Sequence, residues 1–221
     1  MGEIVEGVGA DQRRRIADLR RTGRFFWIDV SLRETAQEEL GEALGIAPHA
    51  LLPLVDFARD TPPSRKLHVD GQHVVFAFSC FLESAEGGGG GGIGYQLRPI
   101  EVHVLVCGDY MLTLHEQAVS LPKLLTPQSP EGRSEQYVVY VILDAMVATG
   151  FDALNEAERT LEGLQLMSTD LRAARVRMAT LRAVNTRLSG MRRRIGPQRG
   201  IFERISEEIG RVEGLEADSE N

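Results

Sequence analysis

The chain changes its hydrophobic period at Ser134. Before that point apolar residues recur mostly in short alternating runs. After it they recur three and four apart. Tyr137, Val138, Val141, Ile142, Ala145 and Met146 open the second pattern, and Leu154, Ala157, Leu161, Leu164 and Met167 extend it. Such a stripe specifies an amphipathic helix. Gly150 weakens it by about 1 kcal/mol against alanine, yet the period continues across it. Read as one helix, Ser134 to Met167 runs roughly 50 Å at 1.5 Å per residue. Ser168-Thr169-Asp170 then makes a turn or cap. A second helix takes Leu171 to Ile195, with Val176, Leu181, Val184, Leu188 and Met191 inward. Gly196-Pro197 interrupts, and Ile201 to Ile209 resumes the spacing with Phe202 and Ile205. The two long helices are expected to pair as an antiparallel hairpin projecting from a compact head.

Charge follows the same division. Past Gly150 the first helix carries Asp152, Glu156, Glu158 and Glu162 against Arg159. The second carries Arg172, Arg175, Arg177, Arg182, Arg187 and Arg192 to Arg194. Opposite signs on neighbouring helices attract, although an exposed pair contributes at most about 1 kcal/mol. The other reading of the arginines is a surface for phosphate, lipid or a protein partner.

Residues 25–133 read as strands and short helices. Phe25 to Val30 is aromatic and β-branched, hence a strand. Ser31-Leu32-Arg33-Glu34 has the spacing of a capping box. A helix with Ala36, Leu40, Ala43 and Leu44 on one stripe follows, stopped by Gly45. Pro48 to Phe57 suggests a second short helix that Pro53 bends or ends. Lys66 to Val69 and Gln72 to Leu82 form a hairpin around Asp70-Gly71. Val74, Phe76, Phe78 and Cys80 make one face of its second strand. Val75, Ala77, Ser79 and Phe81 make the other, which is also weakly polar, so the sheet is covered on both sides. Residues 84–94 hold a flexible loop with six consecutive glycines, Gly87 to Gly92. Two strands turning at Gly108-Asp109 complete a mixed sheet, and a linker or loose helix with Pro122, Pro127 and Pro130 leads to the hairpin. The expected fold is an α/β/α sandwich followed by a long antiparallel helical hairpin. It divides into a polar arm at 1–24, where the apolar pair Ile16 and Leu19 suggests a short helix or a loose segment, a sheet domain at 25–133 and a helical region at 134–221.

Composition narrows the function. Among 221 residues, 25 are basic and 32 acidic, a net charge of -7 that argues against nucleic acid as a partner. Cys80 and Cys107 lie in apolar runs and make no disulfide framework. The apolar runs fall short of the 18 or so residues of a membrane span, and no secretory leader opens the chain. The expectation is a soluble chain.

The sequence holds no dinucleotide fingerprint, phosphate loop, zincin motif or nucleophile elbow, so an enzyme is not expected. The best local constellation is His68 with His73. A two-residue Asp70-Gly71 turn would set them opposite one another, about 5 Å apart at Cβ, where neutral imidazoles suit zinc. An ordinary polar cross-strand pair is the competing reading. His103 and His115 read as half-buried strand histidines, His49 as surface, and Asp29 as a strand-end residue. Asp144 interrupts the apolar run Val141 to Val147 and needs a partner if buried.

These residues resemble, in order, the cytosolic amino-terminal region of the CorA family of divalent-cation transport proteins. Trp27-Ile28-Asp29 resembles the family's opening strand, and Leu44-Gly45-Ile46-Ala47-Pro48 its Gly-Ile-His-Pro junction. Pro63 to Phe78 and Leu112-Thr113-Leu114-His115-Glu116 resemble later strand segments. Tyr137 to Val147 resembles the family's long-helix start, and Met191 to Ile205 a segment closest to the zinc-transporting ZntB-like branch. Together they cover about residues 25–208.

The resemblance implies a cytoplasmic regulatory and assembly domain, at the inner face of the cell membrane. Mg²⁺, Co²⁺ or Zn²⁺ would act between subunits, with no organic cofactor. It implies a homopentamer in the full-length protein, with weaker or absent association in this chain, and membrane contact only through pore helices. The chain as given shows no Gly-Met-Asn pore signature, so it is expected to be a fragment or a truncated relative. Pro53 stands where magnesium-type members carry an acidic ligand. Asp56 and Asp60, one and two turns on, are the substitute candidates, and His68 and His73 the place to look if the ion is zinc. The alternative function is a stand-alone module that binds a protein or an anionic membrane through the arginine face.

Overall fold

The computed structural model describes residues 3–33, 35, 37–45, 67–69, 72–83, 97–117, 119–125, 134–166 and 171–215. Strands β1 (Glu3–Glu6), β2 (Phe26–Ser31), β3 (Leu67–Val69), β4 (Val74–Glu83), β5 (Leu97–Val106) and β6 (Tyr110–His115) form one six-stranded sheet. Its order is β1-β2-β6-β5-β4-β3. β1, β2 and β6 are parallel, and β6, β5, β4 and β3 are antiparallel. Parallel neighbours need a crossover, and α1 (Ala10–Thr22) supplies the one between β1 and β2.

The polar arm expected at 1–24 is therefore part of the head. Val5, Val8, Ile16 and Leu19 are buried, and Ile4 is half-buried against the first core. Helix α1 is polar everywhere except where it meets the sheet.

Alternation along each strand feeds two cores. On one face Trp27, Phe76, Phe78, Val104 and Met111 pack together. On the other, Phe26, Ile28, Val30, Leu112 and Leu114 meet Ile16 and Leu19 of α1 and Leu40 and Leu44 of α2 (Gln37–Leu44). Each such side chain contributes roughly 1.5–3 kcal/mol on leaving water. Helix α2 ends at Gly45 in the left-handed conformation, φ 63°, as expected. The capping box does not form. Ser31 is paired with His115 in the β2–β6 ladder, its hydroxyl is buried without a partner, and Leu32 N–H still donates to His115 O at 2.9 Å. β2 runs through Ser31, Leu32 and Arg33 turn, and α2 spans Gln37–Leu44.

After the short α3 (Leu121–Leu125) come α4 (Glu135–Gln165) and α5 (Leu171–Ile209). Ser134 caps α4, its hydroxyl accepting from Tyr137 N–H at 3.2 Å. The helices run antiparallel. Tyr140 donates to Ser206 O at 3.1 Å, Gly150 lies beside Ile195, and Ala153 packs with Met191. Residue numbers thus rise on one helix as they fall on the other. Val139, Ile142, Leu143 and Met146 of α4, with Ile201, Ile205 and Ile209 of α5, belong to the first core. Ala157, Leu164 and Val184 are buried further along the pair.

Pro197 does not end the second helix. α5 continues through it for 39 residues, about 58 Å. Met191 and Ile201, on either side of Pro197, are both buried and hold the two halves in place. Helix α4 is long and apolar enough to cross a membrane, with a mean hydropathy of 1.6 over its most apolar window. Part of that apolarity belongs to residues seated on the sheet.

Candidate functional site

The expected histidine pair rests on a strand register that the structure replaces. β3 pairs Leu67 with Phe76, His68 with Val75 and Val69 with Val74. His73 stands outside the ladder instead of opposite His68. The observed register sets apolar against apolar, whereas a two-residue turn would have set Val69 against Gln72. Asp56, Asp60 and Pro53 lie outside the described residues, as do the side chain of His68 and the loop at 84–94. Among the described residues, no group of three or more His, Cys, Asp or Glu is placed to hold a metal ion.

His73 lines a cleft of about 440 Å³ with Arg20, Cys107, Asp109, Tyr110 and Glu213. Arg20 organises it. Its guanidinium stands 5.2 Å from the Tyr110 ring centroid and 3.9 Å from the Asp109 carboxylate, and it donates to Leu44 O. Burial pushes the Cys107 thiol and the Tyr110 hydroxyl above their ordinary ranges. Neutral at physiological pH, neither is a ready nucleophile. The cleft offers mixed, mutually balanced charge.

A second polar cluster is sealed within the sheet. Asp29 Oδ1 accepts from the Thr113 hydroxyl at 2.6 Å and lies 3.2 Å from His115 Nε2, while Oδ2 accepts from Leu121 N–H at 2.9 Å. Trp27 Nε1 donates to the Thr113 hydroxyl at 3.0 Å. Nothing here opens to a ligand, and the cluster fixes where β2 and β6 end and α3 starts. His103 is buried as well, 3.2 Å from Glu101 Oε1. It pairs with Leu114, so His115 projects to the opposite face and the two histidines share no site.

The third feature lies where the hairpin meets β4. Phe78, Ser79 and Phe81 of β4, Val147, Gly150, Phe151 and Leu154 of α4, and Ile195, Gln198, Arg199 and Phe202 of α5 line an apolar groove of about 400 Å³. The edge of β4 is covered here. Phe81 N–H donates to Thr149 Oγ1 at 3.0 Å, and Phe78 meets Phe202 edge-on at 5.1 Å. Asp144 is exposed, so its carboxylate needs no buried partner. The sequence placed Leu154 on the apolar stripe and did not single out Phe151, because periodicity does not show which side of a helix a neighbour leaves uncovered.

The chain shares its fold with the full-length CmaX protein. The two align with a TM-score of 0.55 at 15% identity, over 82% of this chain and 53% of that one. The soluble domain of CorA from Methanocaldococcus jannaschii aligns at 0.48 with 16% identity, over 71% of this chain and 61% of that one. This chain thus spans about half the length of CmaX. No protein-family model matches it, and no curated protein matches it significantly.

Proposed function

We propose that the chain is the cytoplasmic regulatory and assembly domain of a CorA-like divalent-cation transport protein. One observation carries the reading: a three-layer head from which two long antiparallel helices continue, the fold it shares with CmaX. The ordered motif resemblance supports the same reading. In it the transported ion is Mg²⁺, Co²⁺ or Zn²⁺, and a pore-forming part belongs to the whole protein. Divalent ions between acidic surfaces of neighbouring subunits would bias the gate, because an ion that binds one arrangement better shifts the equilibrium toward it. Asp56, Asp60, His68 and His73 are the proposed ligands.

Calorimetric titration of the chain with Mg²⁺, Co²⁺ and Zn²⁺, paired with melting curves, tests the sensor clause. A rise in melting temperature with one of the ions, lost in Asp56→Asn/Asp60→Asn or His68→Ala/His73→Ala, is expected. No heat and no shift at about millimolar ion would remove it, since binding that weak stabilises by less than about 1 kcal/mol. The reading frame of the native gene tests the transport clause, which requires membrane-spanning helices in the same polypeptide.

A further inference from the structure

The groove between β4, α4 and α5 is apolar along most of its length and polar at one end. Tyr140 meets Ser206 and Gly150 meets Ile195, so Val147 stands about level with Gln198 and Arg199. That end of the lining also holds Ser79, whose Oγ accepts from Gln198 Nε2 at 3.2 Å. The other end is formed by Phe151, Leu154 and Ile195, which are 64%, 45% and 39% exposed. Single exposed leucines are ordinary, but three large apolar side chains around one apolar groove form a patch. At about 400 Å³ the groove has the size of a small-molecule site, for which roughly 300–1,000 Å³ is usual.

Gln198 says what the polar end lacks. It is 7% exposed, and its Oε1 is buried with no donor. A buried amide oxygen is rarely left bare. Ser79 is 2% exposed and serves only one end of the amide. With the amide turned over, Ser79 would donate to Oε1, and Nε2 would be left without an acceptor. One group answers either arrangement: a hydroxyl, which both donates and accepts. A charged head fits less well. Arg199 is the cation lining this end, and it already stands 3.7 Å from Glu203. A carboxylate head would donate nothing to Oε1, and it would give up its hydration for a cation that is shared.

We propose that this groove binds a medium-chain aliphatic alcohol, its hydroxyl at Gln198 and its alkyl tail along Phe151, Leu154 and Ile195. Val147 to Leu154 spans about 10 Å of helix. With bonds of about 1.5 Å an extended alkyl chain rises about 1.3 Å per carbon, so about eight carbons fill the groove. A longer tail runs out past Leu154 into water and gains nothing further from the site. The site needs neither an ion nor a pore, so it stands apart from the proposed transport role and is tested separately from it.

Methyl NMR of the 221-residue chain, titrated with straight-chain hexanol, octanol and decanol, tests it. The Leu154 and Ile195 methyl signals should shift and saturate, with a dissociation constant for octanol of about 0.1 mM. Each methylene from hexanol to octanol should tighten binding about threefold, and decanol should bind no more tightly than octanol. Octanoate should bind about tenfold more weakly than octanol. Phe151→Glu, at an exposed position, should keep its melting temperature and lose octanol binding about tenfold. Gln198→Leu should weaken octanol about tenfold and abolish its advantage over octanoate. If Gln198→Leu fails to fold, the chain-length series, octanoate and Phe151→Glu still decide. Vesicles of neutral phosphatidylcholine should leave the chain in the supernatant on sedimentation. Methyl signals that do not shift, or that shift without saturating, overturn the proposal. So do octanoate that matches octanol, affinity that keeps rising to decanol, and a folded Phe151→Glu or Gln198→Leu that binds octanol like the wild type. A chain that pellets with the vesicles also overturns it, because the patch is then a membrane contact.

Discussion

Asp29 and His115 meet inside the sheet, Oδ1 to Nε2 at 3.2 Å, with 3% and 0% of their side chains exposed. They sit on adjacent parallel strands, Asp29 level with Thr113 and His115 level with Ser31. The other ring nitrogen of His115, Nδ1, is 2.7 Å from Gln117 O. Both ring nitrogens thus face oxygen atoms. Asp29 in turn takes hydrogen bonds from Thr113 and Leu121 N–H. One carboxylate thereby joins β2, β6 and the start of α3.

Removing the charge of Asp29 should cost more than removing one of its partners. Asp29→Asn leaves His115 and Leu121 N–H imperfectly paired in a dry site, and about 3 kcal/mol of stability should be lost. Thr113→Val gives up one neutral donor and one acceptor and should lose about 1–2 kcal/mol. Urea unfolding of both variants compares them. If Asp29→Asn costs less than Thr113→Val, the carboxylate is not the centre of the cluster.

What could be read in the sequence follows from where the signal is strong. β4 and β5 announce themselves by β-branched and aromatic content and a glycine turn, and α4 by an unbroken stripe with a serine at its start. β1 was hidden because Val5 and Val8 make too faint a pattern among polar neighbours, while Ile16 and Leu19 left the segment of α1 open between a short helix and a loose arm. The β3–β4 register misled because Asp70-Gly71 is a strong local turn signal. Pairing Leu67 with Phe76 and Val69 with Val74 outweighs it. Pro197 reads as a break, yet burial on both sides of it carries the helix through. The groove was illegible for another reason. Its residues come from three elements far apart in the chain, and only their meeting makes it.

Gly108 is required by close approach, not by its backbone angles. A Cβ there would stand 2.5 Å from Glu213 O and 3.0 Å from Gly214 Cα, both backbone atoms that cannot swing aside. The β5–β6 turn is therefore pressed against residues 212–215, whose Val212 is buried in the first core. Gly108→Ala should push that segment off and cost about 1–3 kcal/mol. Amide exchange at Val212 and Leu215 should rise in step. Wild-type protection of both amides in the variant would show that the contact is not needed.

Gly150 carries the opposite expectation. It lies inside α4, where glycine is about 0.5–1 kcal/mol worse than alanine. A Cβ there would meet Ile195 Cδ1 and Phe81 Cδ2 at 3.9 Å, which is ordinary contact. Gly150→Ala should therefore stabilise the chain and raise its melting temperature by about 2 °C. A fall would mean that the helices pass closer here than the structure places them.

Alkaline pH should unfold this protein early. Burial first, and the Asp29 charge second, push the Cys80 thiol from an ordinary 9.0 to about 12. Burial likewise raises Cys107 from 9.0 and Tyr110 from 10.0. In the unfolded chain these groups lose their protons near the ordinary values, while the folded chain holds them. The unfolded state then binds fewer protons, and stability falls as pH rises. The loss begins near pH 9, where the unfolded thiols ionise, and for Cys80 continues to about 12. Each group contributes a slope of about 1.4 kcal/mol per pH unit within its own window. Melting temperatures measured from about pH 8 to pH 11 should therefore drop steeply. Cys80→Ala/Cys107→Ala should flatten the drop and leave the part due to Tyr110. A maleimide at about pH 8 should label the unfolded chain and spare the folded one, because both thiols are buried and protonated. A flat melting profile to pH 11, or rapid labelling of the folded chain, would place these thiols in contact with water.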